Sequence, residues 1–200
     1  MLKIGLTGGI GSGKSIIGKV LTIMGYPVFN SDDNAKLLMT ESNDVKNEIK
    51  NVFGEEAYID NQLNRSFLAN KIFKNSAYKE QLNAIVHPAV RKAFHKWSKE
   101  QDASIIFNEA AILFETGRYT DFDYTILVTA PEEVRINRVI IRDGSNVQAV
   151  KDRINNQWPD EKKADLASYI ITNDDSSLVT QQIEVILAEV KRADNQRKHN

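Results

Sequence analysis

The sequence predicts an α/β fold in three layers around a parallel sheet, and three observations carry that prediction. Short apolar runs recur at residues 2–7, 27–30, 104–107, 124–128 and 169–172, as strands buried on both faces of a parallel sheet do. Stretches with apolar residues at helical spacing separate them. A glycine-rich loop joins the first run to the first helical stretch, a connection typical of such sheets.

The first strand, 2–7, leads into Gly8-Gly9-Ile10-Gly11-Ser12-Gly13-Lys14-Ser15. This loop matches G-x-x-x-x-G-K-[ST] at every fixed position. Ile16, Ile17, Val20, Leu21 and Met24 follow at helical spacing, and Gly25 offers a stop. Strand, glycine loop and helix together make a phosphate cradle: successive backbone N–H groups converge on an anion, and the helix N-terminus adds partial positive charge. Nucleotide phosphates are expected against Gly9, Gly11, Ser12, Gly13, Lys14, Ser15 and Ile16, with Lys14 reaching the β- and γ-phosphates and Ser15 ligating Mg²⁺. A plain glycine turn entering a helix is the bland alternative. A dinucleotide site would need G-x-G-x-x-G, a spacing this loop lacks.

The second strand, 27–30, ends just before Asp32, which is placed to accept a proton from an attacking hydroxyl or to hold Mg²⁺ through water. Asp33 is its rival, and capping of the next helix is the structural alternative for either. Residues 33–102 then form a helical insertion. Val45, Ile49 and Val52 share a face with Gly54 as cap. Ser66 is expected to cap a helix carrying Phe67, Leu68, Ile72 and Phe73. Tyr78, Leu82, Ile85 and Val86 continue the pattern, and Pro88 starts a further helix with Val90, Phe94 and Trp97. The insertion suits an acceptor-binding region, while the core takes residues 1–32, 103–138 and 166–200.

After the strands at 104–107 and 124–128, Arg135, Arg138 and Arg142 fall at i, i+3 and i+7. One helix face can present all three, and guanidinium suits phosphate oxygens. Asp143-Gly144 then opens a polar segment, 139–165, that reads as a lid carrying Arg153. A solvated face with ion pairs to Glu132 and Asp143 is the alternative. Asn173 closes the last strand, 169–172, where its amide reads either as a base contact or as a turn residue before Asp174-Asp175. The final helix carries Ile183, Ile186, Leu187 and Val190, and residues 193–200 are expected to be a frayed polar tail.

Composition narrows the classes. The chain has 200 residues, 42% hydrophobic and 26% charged, with net charge −1 and no cysteine. Thiol chemistry, disulfides and thiolate metal sites are excluded. The near-neutral charge argues against nucleic-acid binding by bulk positive charge. No apolar run spans a membrane, and the chain enters its first strand without a leader pattern, so a cytoplasmic protein is expected. His87, His95 and His199 are not spaced as a metal site, and His87-Pro88 reads as a helix start.

Over nearly its whole length the chain resembles the dephospho-CoA kinases. The resemblance rests on TGGIGSGKS from Thr7, Asn30-Ser31-Asp32 in place of a D-A-D run, LNAIVHP from Leu82, and ILFETG from Ile112. Arg138 with Arg142, Arg153 with Gln157, and ITND from Ile171 complete it. The resemblance implies a P-loop NTPase fold with a helical acceptor-binding insertion and a lid. The activity it implies is ATP-dependent phosphorylation of the 3′-hydroxyl of dephospho-CoA, giving CoA and ADP, the last step of coenzyme A biosynthesis. It selects Asp32 over Asp33 as general base, sets Lys14 and Ser15 to ATP and Mg²⁺, and places Arg138 and Asn173 at the nucleotide. It also closes Arg142 over the phosphates and puts His87 near the acceptor. The expected partners are ATP and dephospho-CoA, with no nucleic acid and no membrane, for a monomer or weak oligomer.

Four positions depart from the family pattern: Ile16, Asn30, Ala111 and Ser168. Glu109 is left open as a helper of Mg²⁺. Kinases of other small acceptors share the loop and lid. A GTP switch would need N-K-x-D, and the single Asn-Lys pair continues as Asn70-Lys71-Ile72-Phe73. A nucleotide-gated binding protein remains a third class.

Overall fold

The computed structural model describes residues 1–199. In chain order it contains β1 (Leu2–Gly8), α1 (Lys14–Ile23), β2 (Val28–Asn30), α2 (Ser31–Glu41), α3 (Asn43–Phe53), β3 (Tyr58–Ile59), β4 (Gln62–Leu63), α4 (Arg65–Lys74) and α5 (Ala77–Lys99). There follow β5 (Ile105–Glu109), β6 (Tyr124–Thr129), α6 (Glu132–Asp143), α7 (Val147–Asn155), α8 (Asp160–Ala164), β7 (Tyr169–Thr172) and α9 (Val179–His199). Two compact units emerge: residues 1–29 with 102 onward, and residues 30–101.

In the first unit the sheet order is β2-β5-β1-β6-β7. β1 pairs in parallel with β5 and with β6, and β6 with β7. Leu6 lies opposite Glu109 and Ile126, Gly8 opposite Val128, and Thr129 opposite Thr172. The carboxyl ends of four strands therefore share one edge, the edge from which the glycine loop departs. Leu2, Ile4 and Leu6 alternate onto one face, as a two-residue period requires. There they pack with Ile105, Phe107, Ile126, Val128 and Ile171 under α1 (Ile17, Leu21) and α9 (Ile183, Ile186, Leu187, Val190). Gly25, at φ 87, ends α1 as expected. The tail differs from expectation: α9 continues to His199, because no glycine or proline interrupts residues 193–199. Asn200 of the expected tail lies outside the described residues.

In the second unit Val45, Ile49 and Phe53 on α3 pack with Ala57, Tyr58 and Leu68. Several expectations are corrected here. Val52 is exposed and Phe53 takes its place, since i, i+4 and i+8 keep to the buried stripe. Phe73 is exposed as well, five residues from Leu68 and so on the far side of α4. Asn64, not Ser66, caps α4 by accepting from Phe67 N at 3.2 Å. Residues 77–99 form one helix with Pro88 inside it. The proline removes one N–H, but Val86, Val90 and Phe94 continue a single buried stripe through it, so His87-Pro88 is no helix start. The β3–β4 hairpin, turning at Asp60-Asn61 with φ 48 and 64, was also not anticipated.

Candidate active site

The loop after β1 is held open by glycine chemistry. Gly11 and Gly13 adopt φ 78 and 87, backbone that L side chains rarely take. A Cβ on Gly13 would also lie 2.1 Å from Asn173 Nδ2. Gly13 caps α1, with no side-chain capping bond and no acidic residue in the first turn. In that first turn Ile16 N and Ile17 N donate to Gly13 O at 2.8 and 3.3 Å, and the helix turns its partial positive end towards the loop.

Lys14 and Ser15 converge on one carboxylate. Glu109 Oε1, at the end of β5, accepts from Lys14 Nζ and from Ser15 Oγ, each at 2.9 Å, and Glu109 is 4% exposed. Gly18 makes room for it: a Cβ there would lie 2.6 Å from Glu109 Oε2. The sequence raises Glu109 only as an open helper of Mg²⁺ and does not place it on Lys14. The available signal was an acidic residue closing a strand that is apolar from Ile105 to Phe107.

Arg138 and Asn173 bind the loop itself. Asn173 is buried and donates through Nδ2 to Ser12 O at 2.9 Å, while its N–H continues the sheet to Thr129 O. Arg138 donates to Gly11 O at 3.3 Å, to Ser12 O at 3.4 Å and to Asn173 O at 2.9 Å, and pairs with Asp175. The turn that Asn173 was weighed for falls instead to Asp174. Its Oδ1 accepts from Ser176 N and Ser177 N, and these bonds hold its carboxyl well below the usual range. Of the three helix arginines, Arg135 and Arg138 reach the loop, whereas Arg142 is exposed and grips Asp143 at 2.7 and 3.0 Å. Arg153 joins Asp143 at 2.9 Å. The two guanidinium groups depress the Asp143 carboxyl, and Asp143 raises Arg142 in turn.

Ile16 is 55% exposed at the start of α1, and its N–H donates to Gly13 O at 2.8 Å. Ser168, where an aspartate was the pattern, accepts from Thr125 N at 3.0 Å and donates its own N–H to Thr125 Oγ1 at 3.1 Å. Its hydroxyl supplies the acceptor to Thr125 without a charge.

In the second unit, Asp32 sits half-buried in the first turn of α2. Asn30 is the cap, accepting from Asp33 N at 2.9 Å. That removes the capping reading of Asp32 and explains how Asn30 stands in an aspartate's place, since either side chain caps. Asp33 is exposed and paired with Lys36 at 2.8 Å. His87 lies half-buried in the middle of α5. No group of three or more His, Cys, Asp or Glu that could hold a metal occurs among the described residues.

The family model and the curated relatives agree on one family. The dephospho-CoA kinase family model matches residues 2–179. A dephospho-CoA kinase of Bacteroides fragilis is 38% identical over 187 residues, covering 92% of this chain and 91% of that protein. A crystal structure from Thermus thermophilus superposes with TM-score 0.84 at 34% identity, covering 94% and 97%. A dephospho-CoA kinase from Campylobacter jejuni superposes with TM-score 0.66 at 25% identity, covering 96% and 98%. With a phosphate loop on a parallel sheet and a family model that spans nearly all of it, this chain belongs to the dephospho-CoA kinase family.

Proposed function

We propose that this protein transfers the γ-phosphoryl group of ATP to the 3′-hydroxyl of dephospho-CoA, releasing CoA and ADP. The observation that carries the reading is the meeting of Lys14 and Ser15 on Glu109 at the mouth of a glycine phosphate loop, in a chain of this family.

The chemistry is positioning and charge. Backbone N–H groups of residues 9, 11 and 13 hold the phosphates, those of Ser12 and Ile16 leave Gly9 O and Gly13 O to join them, and Lys14 leaves Glu109 to take the charge that develops on the transferring group. Magnesium suits the oxygen donors gathered here, because a cation of this kind is held by one or two protein oxygens and by substrate phosphates. Ser15 would hold it, with Glu109 already bonded to Ser15, and the bound ion neutralises phosphate charge. Asp32 accepts the proton of the acceptor hydroxyl, and His87 belongs to the acceptor side. Arg142 exchanges Asp143 for phosphate oxygens, while Arg138 and Asn173 shape the nucleotide end of the loop. In this reading residues 33–102 bind the acceptor and 139–165 form the lid that excludes water. No helix among the described residues is long and apolar enough to cross a membrane. A cytoplasmic monomer or weak oligomer, free of nucleic acid, is the form in which we propose it acts.

The test is ADP release from ATP and Mg²⁺ with dephospho-CoA, beside AMP, pantetheine phosphate and no acceptor. Turnover confined to dephospho-CoA supports the reading. Turnover with another acceptor instead discards the substrate and keeps the kinase chemistry.

A further inference from the structure

Ile10, in the middle of the phosphate loop, is held at both of its main-chain polar groups by side chains from beyond β6. Its N–H donates to Gln157 Oε1 at 2.9 Å, and its carbonyl accepts from Arg135 Nε at 2.9 Å. Its side chain packs against the small core formed by Ile136, Val139 and Val150. The approach of Arg135 is close enough to dictate sequence. A Cβ on Gly9 would lie 2.3 Å from Arg135 Nη2, and one on Gly11 would lie 2.4 Å from the Arg135 carbonyl oxygen.

Arg135 is itself fixed from behind. It is 6% exposed, and Nη1 pairs with Asp160 Oδ2 at 2.9 Å. Asp160 Oδ1 meets Lys163 Nζ at 3.3 Å. Lys163 in turn lies 3.7 Å from Glu115 Oε1, which also accepts from Trp158 N at 3.3 Å. A run of four alternating charges therefore ends on a loop carbonyl, and it passes through the segment that also carries Gln157.

We infer that Gln157 and Arg135 are positioning residues that preorganise the phosphate loop by gripping Ile10 from both ends, so that the geometry of the anion cradle depends on residues 157–163. The inference rests on the nucleotide reading of the loop given above. A loop with glycine at 8, 9, 11 and 13 has more backbone freedom to lose than one of ordinary residues. Ordering it before the ligand arrives raises affinity by removing that loss from binding. Because Ile10 spends its N–H on Gln157, its contribution to the cradle is through its neighbours.

The experiment uses the full chain and three variants, Gln157→Ala, Arg135→Met and the pair. Two quantities are read: the ATP dissociation constant by calorimetry, and amide hydrogen exchange of residues 8–15 in the free protein. Losing one partly buried hydrogen bond should weaken ATP roughly five- to tenfold in Gln157→Ala, with exchange at Ile10 accelerated. The steady-state effect should fall on the KM for ATP more than on kcat. Since both side chains act through one residue, the double variant should lose little more than the worse single. Unchanged ATP affinity and unchanged Ile10 exchange in Gln157→Ala overturn the inference, as do independent, multiplying losses. If Arg135→Met does not fold, Gln157→Ala decides alone. Wild-type protein that binds no ATP counts against the nucleotide reading, whereas Ile10 exchange in the free protein still decides the grip.

Discussion

Replacing Lys14 by methionine strands a buried carboxylate, and the consequence is a loss of stability separate from any loss of catalysis. The Glu109 side chain is 5% exposed and that of Lys14 11%. Without the ammonium, Glu109 keeps the Ser15 hydroxyl at 2.9 Å as its hydrogen-bond donor among the described residues. Removing one partner of a buried pair costs about 3–5 kcal/mol, and the partial opening at Lys14 sets the lower end, about 3 kcal/mol. In a chain of this length each kcal/mol moves Tm by about 2–4 °C, so Lys14→Met should melt about 6–12 °C below wild type. Adding Glu109→Gln neutralises the stranded charge and should recover most of that loss, leaving about 1 kcal/mol. Thermal melts of wild type, Lys14→Met and the double variant, followed by circular dichroism at neutral pH without nucleotide, read this directly. A Lys14→Met melt within about 2 °C of wild type, or a double variant no more stable than the single, would refute the reasoning.

Asp32→Asn should lower kcat by roughly 10²–10⁴ while ATP affinity is kept, because the lost group acts on the acceptor's proton; near-wild-type turnover removes Asp32 as base. Arg142→Ala should slow transfer and raise ATP hydrolysis without acceptor, and a variant unchanged in both leaves Arg142 as the solvent-side partner of Asp143 that the structure shows. Burial pushes the Tyr58 hydroxyl up to about 12, and that hydroxyl donates to Met39 O at 2.7 Å. The folded value lies above the unfolded value of about 10. The stabilisation is therefore complete below about pH 10 and lost as pH rises towards 12. Urea unfolding at rising pH should show wild type losing more stability over that interval than Tyr58→Phe, and parallel losses would contradict the assignment.

The sheet and loop were legible in the sequence because their signals are local. Leu2 to Thr7 is a run buried at every position but Lys3, the glycine spacing admits few backbones, and Ile183, Ile186, Leu187 and Val190 mark one helix face. What escaped depends on contacts distant in sequence or on small angular differences. Glu109 meets Lys14 across 95 residues, and Gln157 meets Ile10 across 147; no periodicity reports either. Pro88 read as a start because its local preference is strong, yet the buried stripe through Val86 and Val90 outweighs it. Val52 lies one helical position, about 100°, from the buried Phe53, and Phe73 lies five positions, about 140° round the helix, from the buried Leu68, so both leave the buried face. Arg135, Arg138 and Arg142 share a face by spacing, but only the first two reach the loop, since the third lies in the last turn of α6 beside Asp143.

The most direct test of phosphoryl transfer at this loop is product identification with purified protein. ATP, Mg²⁺ and dephospho-CoA are incubated with wild type and with Lys14→Ala, and the products are assigned by mass and by phosphorus NMR. Wild type should yield CoA phosphorylated at the 3′ position with an equal amount of ADP, and Lys14→Ala should yield almost none. A folded wild-type protein that forms no CoA, or a Lys14→Ala variant that forms it as fast, would contradict the assignment.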